Sequence, residues 1–130
     1  VNNGDVVFSW SGSLMIDVWC GGKAALNQHL FKVTSEQYPK WFYYYWTKQH
    51  LESFQQIAAD KAVTMGHIKR SHLAEAKCAV PNVDMNSFQQ IGLLLDKIVE
   101  QRLESSSLEQ IRDALLPKLL SGELEVDSAN

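Results

Sequence analysis

The stretch NSFQQIGLLLDKIVEQRLESSSLEQIRDALLPKLLSG, residues 86–122, decides the fold class of this chain. Its apolar residues recur at intervals of three and four, the spacing of one face of an α-helix. The spacing predicts one long amphipathic helix over 84–120, about 55 Å long at a rise of about 1.5 Å per residue. We expect its apolar stripe to pack against another helix, since the helix is too long to be covered by the rest of the chain; the stripe consists of Ile91, Leu95, Ile98, Leu108, Ile111 and Leu115.

The middle of this segment carries a weaker helical signal. The run EQRLESSS, residues 100–107, interrupts the stripe, and Ser107 with Gln110 resembles a capping box, so a break there is the alternative to a continuous helix. We favour the continuous helix. Pro117 lacks a backbone donor and is expected to bend the helix, and Gly122 is a natural C-terminal stop.

The segment before the long helix predicts a small antiparallel sheet with one further helix. Runs of β-branched and aromatic residues end at glycine, serine or proline, which is typical of strands. Pro39 stands where helices accept a first proline, and the residues after it favour helix. The patterns predict strands over 5–10, 14–20, 23–33 and 76–80, a helix over 39–59 and a helical turn over 67–73. The fold class is therefore α+β.

The predicted helix after Pro39 contains an aromatic stripe. Five apolar residues recur there at helical spacing: Phe42, Tyr45, Trp46, Phe54 and Ile57. Such a stripe is either core packing or a platform on which nucleic-acid bases stack. We favour core packing.

Composition and charge separate the two parts of the chain. Of 130 residues, 45% are apolar, which is enough to bury a core. Residues 1–83 carry eight Lys and Arg against six Asp and Glu, a net +2, whereas residues 84–130 carry four against nine, a net −5. The cationic part is suited to binding a polyanion and the anionic part to binding protein.

The expected location is the cytoplasm. Cys20 and Cys78 stand apart in the sequence and are expected to be reduced. Neither a membrane span nor a signal peptide is indicated, so we expect a cytoplasmic protein.

The sequence does not predict an active site or a metal centre. Ser11 lacks the flanking glycines of a nucleophile elbow, and no phosphate-binding glycine motif occurs. His67 and His72 are five residues apart, which places them on different faces of a helix. The carboxylates are scattered without a pairing, so we expect neither catalytic residues nor metal ligands in this chain.

Short polar and basic residues in the predicted loops indicate contact with nucleic acid. Lysine and arginine neutralise phosphates, while serine, histidine and arginine can hydrogen-bond base edges. The candidate DNA-binding residues are Ser9, Trp10, Ser11, Ser13, Lys23, His67, Lys69 and Arg70. The alternative for the basic group is an ordinary solvated turn.

The order of these pieces is more specific than any one of them. GDVVFSWSGS, AALNQHLFKV, WFYYYW, TMGHIKRSHLAEAKCAVP and LLDKIVEQRLESSSLEQIRDALLPKLLSGEL follow one another along the chain. Together they resemble the C-terminal part of specificity subunits of type I restriction-modification systems, and IRDALLPKLLSGE, residues 111–123, is similar to a hallmark phrase of that family. Family recognition domains are nearly twice as long as residues 1–83, so the resemblance implies a partial domain.

The resemblance implies a DNA-reading function without catalysis. It implies a partial target recognition domain over 1–83, a spacer helix over 84–122 and a tail over 123–130. From the apolar stripe of that helix we also expect the isolated chain to form a homodimer. The implied partners are double-stranded DNA, of which half a bipartite target is read, and the methyltransferase and restriction subunits. S-adenosylmethionine, ATP and magnesium are expected only on those subunits, so no cofactor is expected in this chain.

Overall fold

The computed structural model of the protein describes residues 1–60 and 68–123. Three short strands form an antiparallel sheet: β1 (Val6–Ser9), β2 (Met15–Val18) and β3 (Leu30–Val33). The spatial order is β2-β1-β3, with Phe8 opposite Ile16 on one side and Phe31 on the other. The sheet and the helices described next confirm the α+β class.

Four helical elements follow the sheet in the described part of the chain. They are α1 (Lys40–Asp60), the short helix α2 (Arg70–Glu75), a 3-10 turn (Met85–Phe88) and the long helix α3 (Gln89–Leu120). The helix α3 runs without a break through residues 105–107, as predicted. It ends at Leu120. Gly122, just beyond the C-cap Ser121, has a φ of 79° that is easily adopted only by glycine, and the Glu123 N–H donates to the Lys118 carbonyl at 2.9 Å.

The core lies between one face of the sheet and α1. Side chains alternate across a strand, so Val6 and Phe8 of β1 point to the same face, and both are buried. The Phe8 ring meets Phe54 of α1 edge-on, with centroids 6.3 Å apart. Of the predicted aromatic stripe, Phe42 and Phe54 are buried as expected, whereas Tyr45 is exposed and the neighbouring Tyr44 is buried in its place.

Two predicted strands differ from the structure. The strand expected over 23–33 is reduced to β3, because Asn27 forms a turn: its side-chain oxygen accepts from the His29 N–H and its carbonyl from the Leu30 N–H. The strand expected over 76–80 is absent from the described sheet. The Lys77 carbonyl lies 2.7 Å from Nε2 of His50 on α1, a side-chain contact in place of a strand partner.

The first half of α3 packs on the body formed by the sheet and α1. Leu95 is 3% exposed and belongs to the shared core, so our assignment of Leu95 to pairing with a partner helix is wrong. The physical reason is a close approach of the two helices: a Cβ on Gly92 would lie 3.2 Å from the Trp41 ring of α1. The expectation that the rest of the chain cannot cover the stripe therefore fails at Leu95, whereas Ile98 in the same half is 40% exposed.

An ion pair fixes α3 to the sheet further along. Nη1 of Arg102 lies 2.7 Å from Oδ1 of Asp17 on β2. The hydrogen bond to Asp17 raises the pKa of Arg102. Beyond Ser106 every residue of α3 is exposed, and the second half of the helix therefore projects past the body.

Asp5 carries a pH-dependent part of the stability of the sheet. The Asn2 N–H donates to its carboxylate at 2.8 Å and Lys32 Nζ lies 3.0 Å away, and these two contacts lower the pKa of Asp5. Because the folded pKa lies below the unfolded one, the carboxylate stabilises the fold above about pH 4 and that contribution is lost as the pH falls through the folded pKa.

We expect the Asp5→Asn variant to lose about 1 kcal/mol of unfolding free energy at pH 7 relative to wild type. The difference should shrink as the pH falls below about 4, where the wild-type carboxylate becomes protonated. Urea unfolding of both proteins between pH 3 and 7 measures this difference in unfolding free energy. A difference that stays constant over this range contradicts the assignment.

Candidate nucleic-acid interface

The turn between β1 and β2 presents the polar loop predicted from the sequence. Ser9 Oγ donates to the Ser11 carbonyl at 3.2 Å, and Gly12 has a φ of 67°, the left-handed conformation that a tight turn needs. Leu14 is buried and anchors the loop on its far side. The tip at Gly12 and Ser13 is exposed to solvent.

The loop is braced by the turn that precedes β3. The Trp10 N–H donates to the His29 carbonyl at 3.3 Å, which extends the β1–β3 ladder by one pair. The Trp10 indole N–H donates to the Gln28 carbonyl at 3.1 Å, and its ring stacks on Phe31 with centroids 5.7 Å apart. Ser11 Oγ lies 2.9 Å from His29 Nδ1. The backbone at Trp10 and Ser11 is therefore held in one position.

A backbone hydrogen bond at Ile68 brings the basic residues Lys69 and Arg70 close to this loop. The Ile68 N–H donates to the Trp10 carbonyl at 3.2 Å, and Ile68 itself is 1% exposed. The two residues that follow it, Lys69 and Arg70, are exposed at the start of α2. The Lys69 N–H donates to His72 Nδ1 at 3.0 Å, which caps this short helix. The buried Ile68 thus places two cations beside the serine loop.

A hollow of about 470 Å³, here called the Trp10 hollow, opens where these three segments meet. Its described lining is apolar apart from one amide and two cations, and contains no carboxylate: Trp10, Gln28, Phe31, Ile68, Lys69, Arg70 and Leu73. A concave surface with apolar walls and positive charge at its edge is complementary to an anionic ligand that carries an apolar group.

The structure brings together most of the predicted DNA-binding residues. Ser9 ends β1, Trp10, Ser11 and Ser13 lie on the loop that follows it, and Lys69 and Arg70 lie beside this loop. Lys23 is the exception, because the segment before it is tied to the other end of the sheet: the Gly22 N–H donates to the Asn3 side chain, and Ala24 pairs with Val1. His67 lies outside the described residues.

Gln28 and His29 belong to this surface but are not among the predicted site residues. In the strand predicted over 23–33, these two side chains would lie on faces of the sheet. Asn27, a residue common in turns, is the signal that places the following pair in a loop.

Potential metal ligands are dispersed over the described residues. Among residues 1–60 and 68–123, no group of three or more His, Cys, Asp or Glu side chains could hold a metal ion. Both cysteines are free thiols. In the same part of the chain, no helix has the length and apolar character required to cross a bilayer.

Comparison of the chain with protein-family models, with curated proteins and with solved structures found no match.

Proposed function

We propose that this chain is a non-catalytic DNA sequence-recognition module, equivalent to the C-terminal part of a type I restriction-modification specificity subunit. The body reads half of a bipartite duplex target, and α3 associates with a second helix. Methyltransferase and restriction subunits supply the chemistry and hold its cofactors. The setting of such a system is the cytoplasm, where the DNA lies.

The observation that supports DNA binding best is the hydrogen bond from Ile68 to Trp10. It joins two loops that are far apart in the sequence into one surface of hydroxyl, amide and cationic groups. Specific DNA binding needs both kinds of group, because cations neutralise phosphates while hydroxyl and amide groups distinguish bases. The net +2 of residues 1–83 is consistent with the same use.

The exposed half of α3 supports the second role. Its solvent-facing apolar residues are Leu108, Ile111, Leu115, Leu116, Leu119 and Leu120, with Leu120 80% exposed. A continuous apolar stripe that the body does not cover is typical of a surface that another helix covers. In the isolated chain that helix is α3 of a second copy, which would give a homodimer.

We expect the Lys69→Ala/Arg70→Ala double variant to bind duplex DNA more weakly and with a flatter salt dependence. Each lost phosphate contact lowers the slope of log K against log salt by about 1, so the slope should fall by roughly 2. Fluorescence anisotropy titrations at several salt concentrations measure this slope for wild type and variant.

The matched control is Lys23→Ala/Lys118→Ala, which also removes two charges. Lys23 lies at the other end of the sheet and Lys118 on the projecting half of α3, so the slope should remain that of the wild type. Equal slopes for wild type and the Lys69/Arg70 variant would remove these residues from the interface.

A second candidate function is a helix-mediated assembly module that does not bind DNA. The exposed stripe of α3 favours it independently of the loops. The two functions differ in one readout, since the assembly module would self-associate with no affinity for any duplex.

A further inference from the structure

The Trp10 hollow has the chemistry to receive a methyl group in the major groove. Its walls include the side chains of Phe31, Ile68 and Leu73. Thymine is the only ordinary DNA base that presents a methyl group in that groove, and apolar side chains are its usual contacts. Lys69 and Arg70 at the edge of the hollow are complementary to the phosphates that flank any base pair.

Gln28 stands at the edge of the same hollow with an exposed amide group. Its backbone is fixed, since its carbonyl accepts from the Trp10 indole at 3.1 Å. Its Nε2 lies 3.4 Å from His29 Nε2, close to the limit for a hydrogen bond, so little is lost when the amide turns towards a ligand. A glutamine amide pairs with N6 and N7 of adenine through two hydrogen bonds.

The thymine methyl and the adenine N6 and N7 lie on the same edge of one base pair. A hollow that accepts the methyl and an amide beside it therefore match a single A·T pair. We propose, as a deepening of the proposed function on which it rests, that Gln28 and the Trp10 hollow together read one A·T pair through the major groove.

The experiment combines single-atom changes in the DNA with substitutions of exposed glutamines in the protein. The full chain first selects its preferred duplex from a randomised library. In that duplex each thymine is then replaced in turn by uracil, which removes the methyl, and each adenine by 7-deazaadenine, which removes N7. Dissociation constants are compared for wild type, Gln28→Ala and the control Gln90→Ala, an exposed glutamine on α3.

We expect one A·T pair at which uracil weakens binding about fourfold, the effect of one methyl group withdrawn from an apolar contact. At the same pair, 7-deazaadenine should weaken wild-type binding at least about fivefold. Gln28→Ala should lose the sensitivity to 7-deazaadenine and keep the sensitivity to uracil, and Gln90→Ala should keep both.

Two results overturn the proposal and are distinguishable from each other. If a duplex is selected but every uracil and 7-deazaadenine substitution is neutral, or Gln28→Ala responds to them as wild type does, the A·T reading is wrong and DNA recognition stands. If no duplex is selected and none is bound, the proposed function fails before any base is changed.

Discussion

The Phe8→Ala variant is expected to lose about 4 kcal/mol of unfolding free energy, the usual cost of a buried phenylalanine. Phe8 is 2% exposed and is among the largest fully buried side chains. Its removal leaves a cavity between β1 and α1 and takes away the edge-on contact with Phe54. Since a domain of this size is stabilised by only about 5–15 kcal/mol, much of the stability would be lost.

Urea unfolding followed by tryptophan fluorescence measures this loss. Val7→Ala is the matched control, because Val7 is the next residue of β1, points to the opposite face of the sheet and is only partly buried. Val7→Ala should lower the unfolding free energy by about 1 kcal/mol or less. Equal losses for the two variants would mean that the core does not lie on the Phe8 face of the sheet.

The Ile111→Asp/Leu115→Asp variant is expected to abolish self-association of the chain. Both residues lie on the projecting half of α3, and their exposed fractions of 52% and 43% show that the body does not need them. A dimer would bury four such side chains at about 1.5 kcal/mol each, so the dissociation constant should rise by about 10⁴-fold. Sedimentation velocity at several concentrations measures the change.

The control adds the same charge at polar positions of the same segment, as Ser107→Asp/Gln110→Asp. This variant should associate as wild type does, apart from a modest effect of charge. A wild-type chain that is monomeric at tens of micromolar would contradict pairing through α3, whatever the variants do.

The long helix illustrates how far periodicity reaches. The three-four spacing predicted α3 and its continuity, because local spacing determines which residues share a face. It did not separate residues that face the body from residues that face solvent. That division depends on Gly92, whose missing side chain admits the Trp41 ring, and a single glycine in a helix does not reveal which partner approaches it.

Only the part of the candidate site that depends on local sequence could be predicted. The serine loop could be located from the residues around it, since a strand that runs into SGS predicts a turn. The proximity of this loop to Lys69 and Arg70 could not be predicted, because it depends on a hydrogen bond between Trp10 and Ile68, which are far apart in the sequence. Lys23 shows the converse error, for a basic loop residue can lie at either end of a sheet.

The exposed ion pair between Arg102 and Asp17 is one of the last contacts between α3 and the body. From Arg102 to Leu120 the helix advances by about 27 Å. A change of about 10° in its direction would move the far end by about 5 Å, more than the roughly 3.4 Å that separate neighbouring base pairs. In the proposed dimer, the angle between α3 and the body would set the distance between the two candidate DNA-binding surfaces. We therefore expect Arg102→Ala to relax that distance without changing any candidate DNA-binding residue.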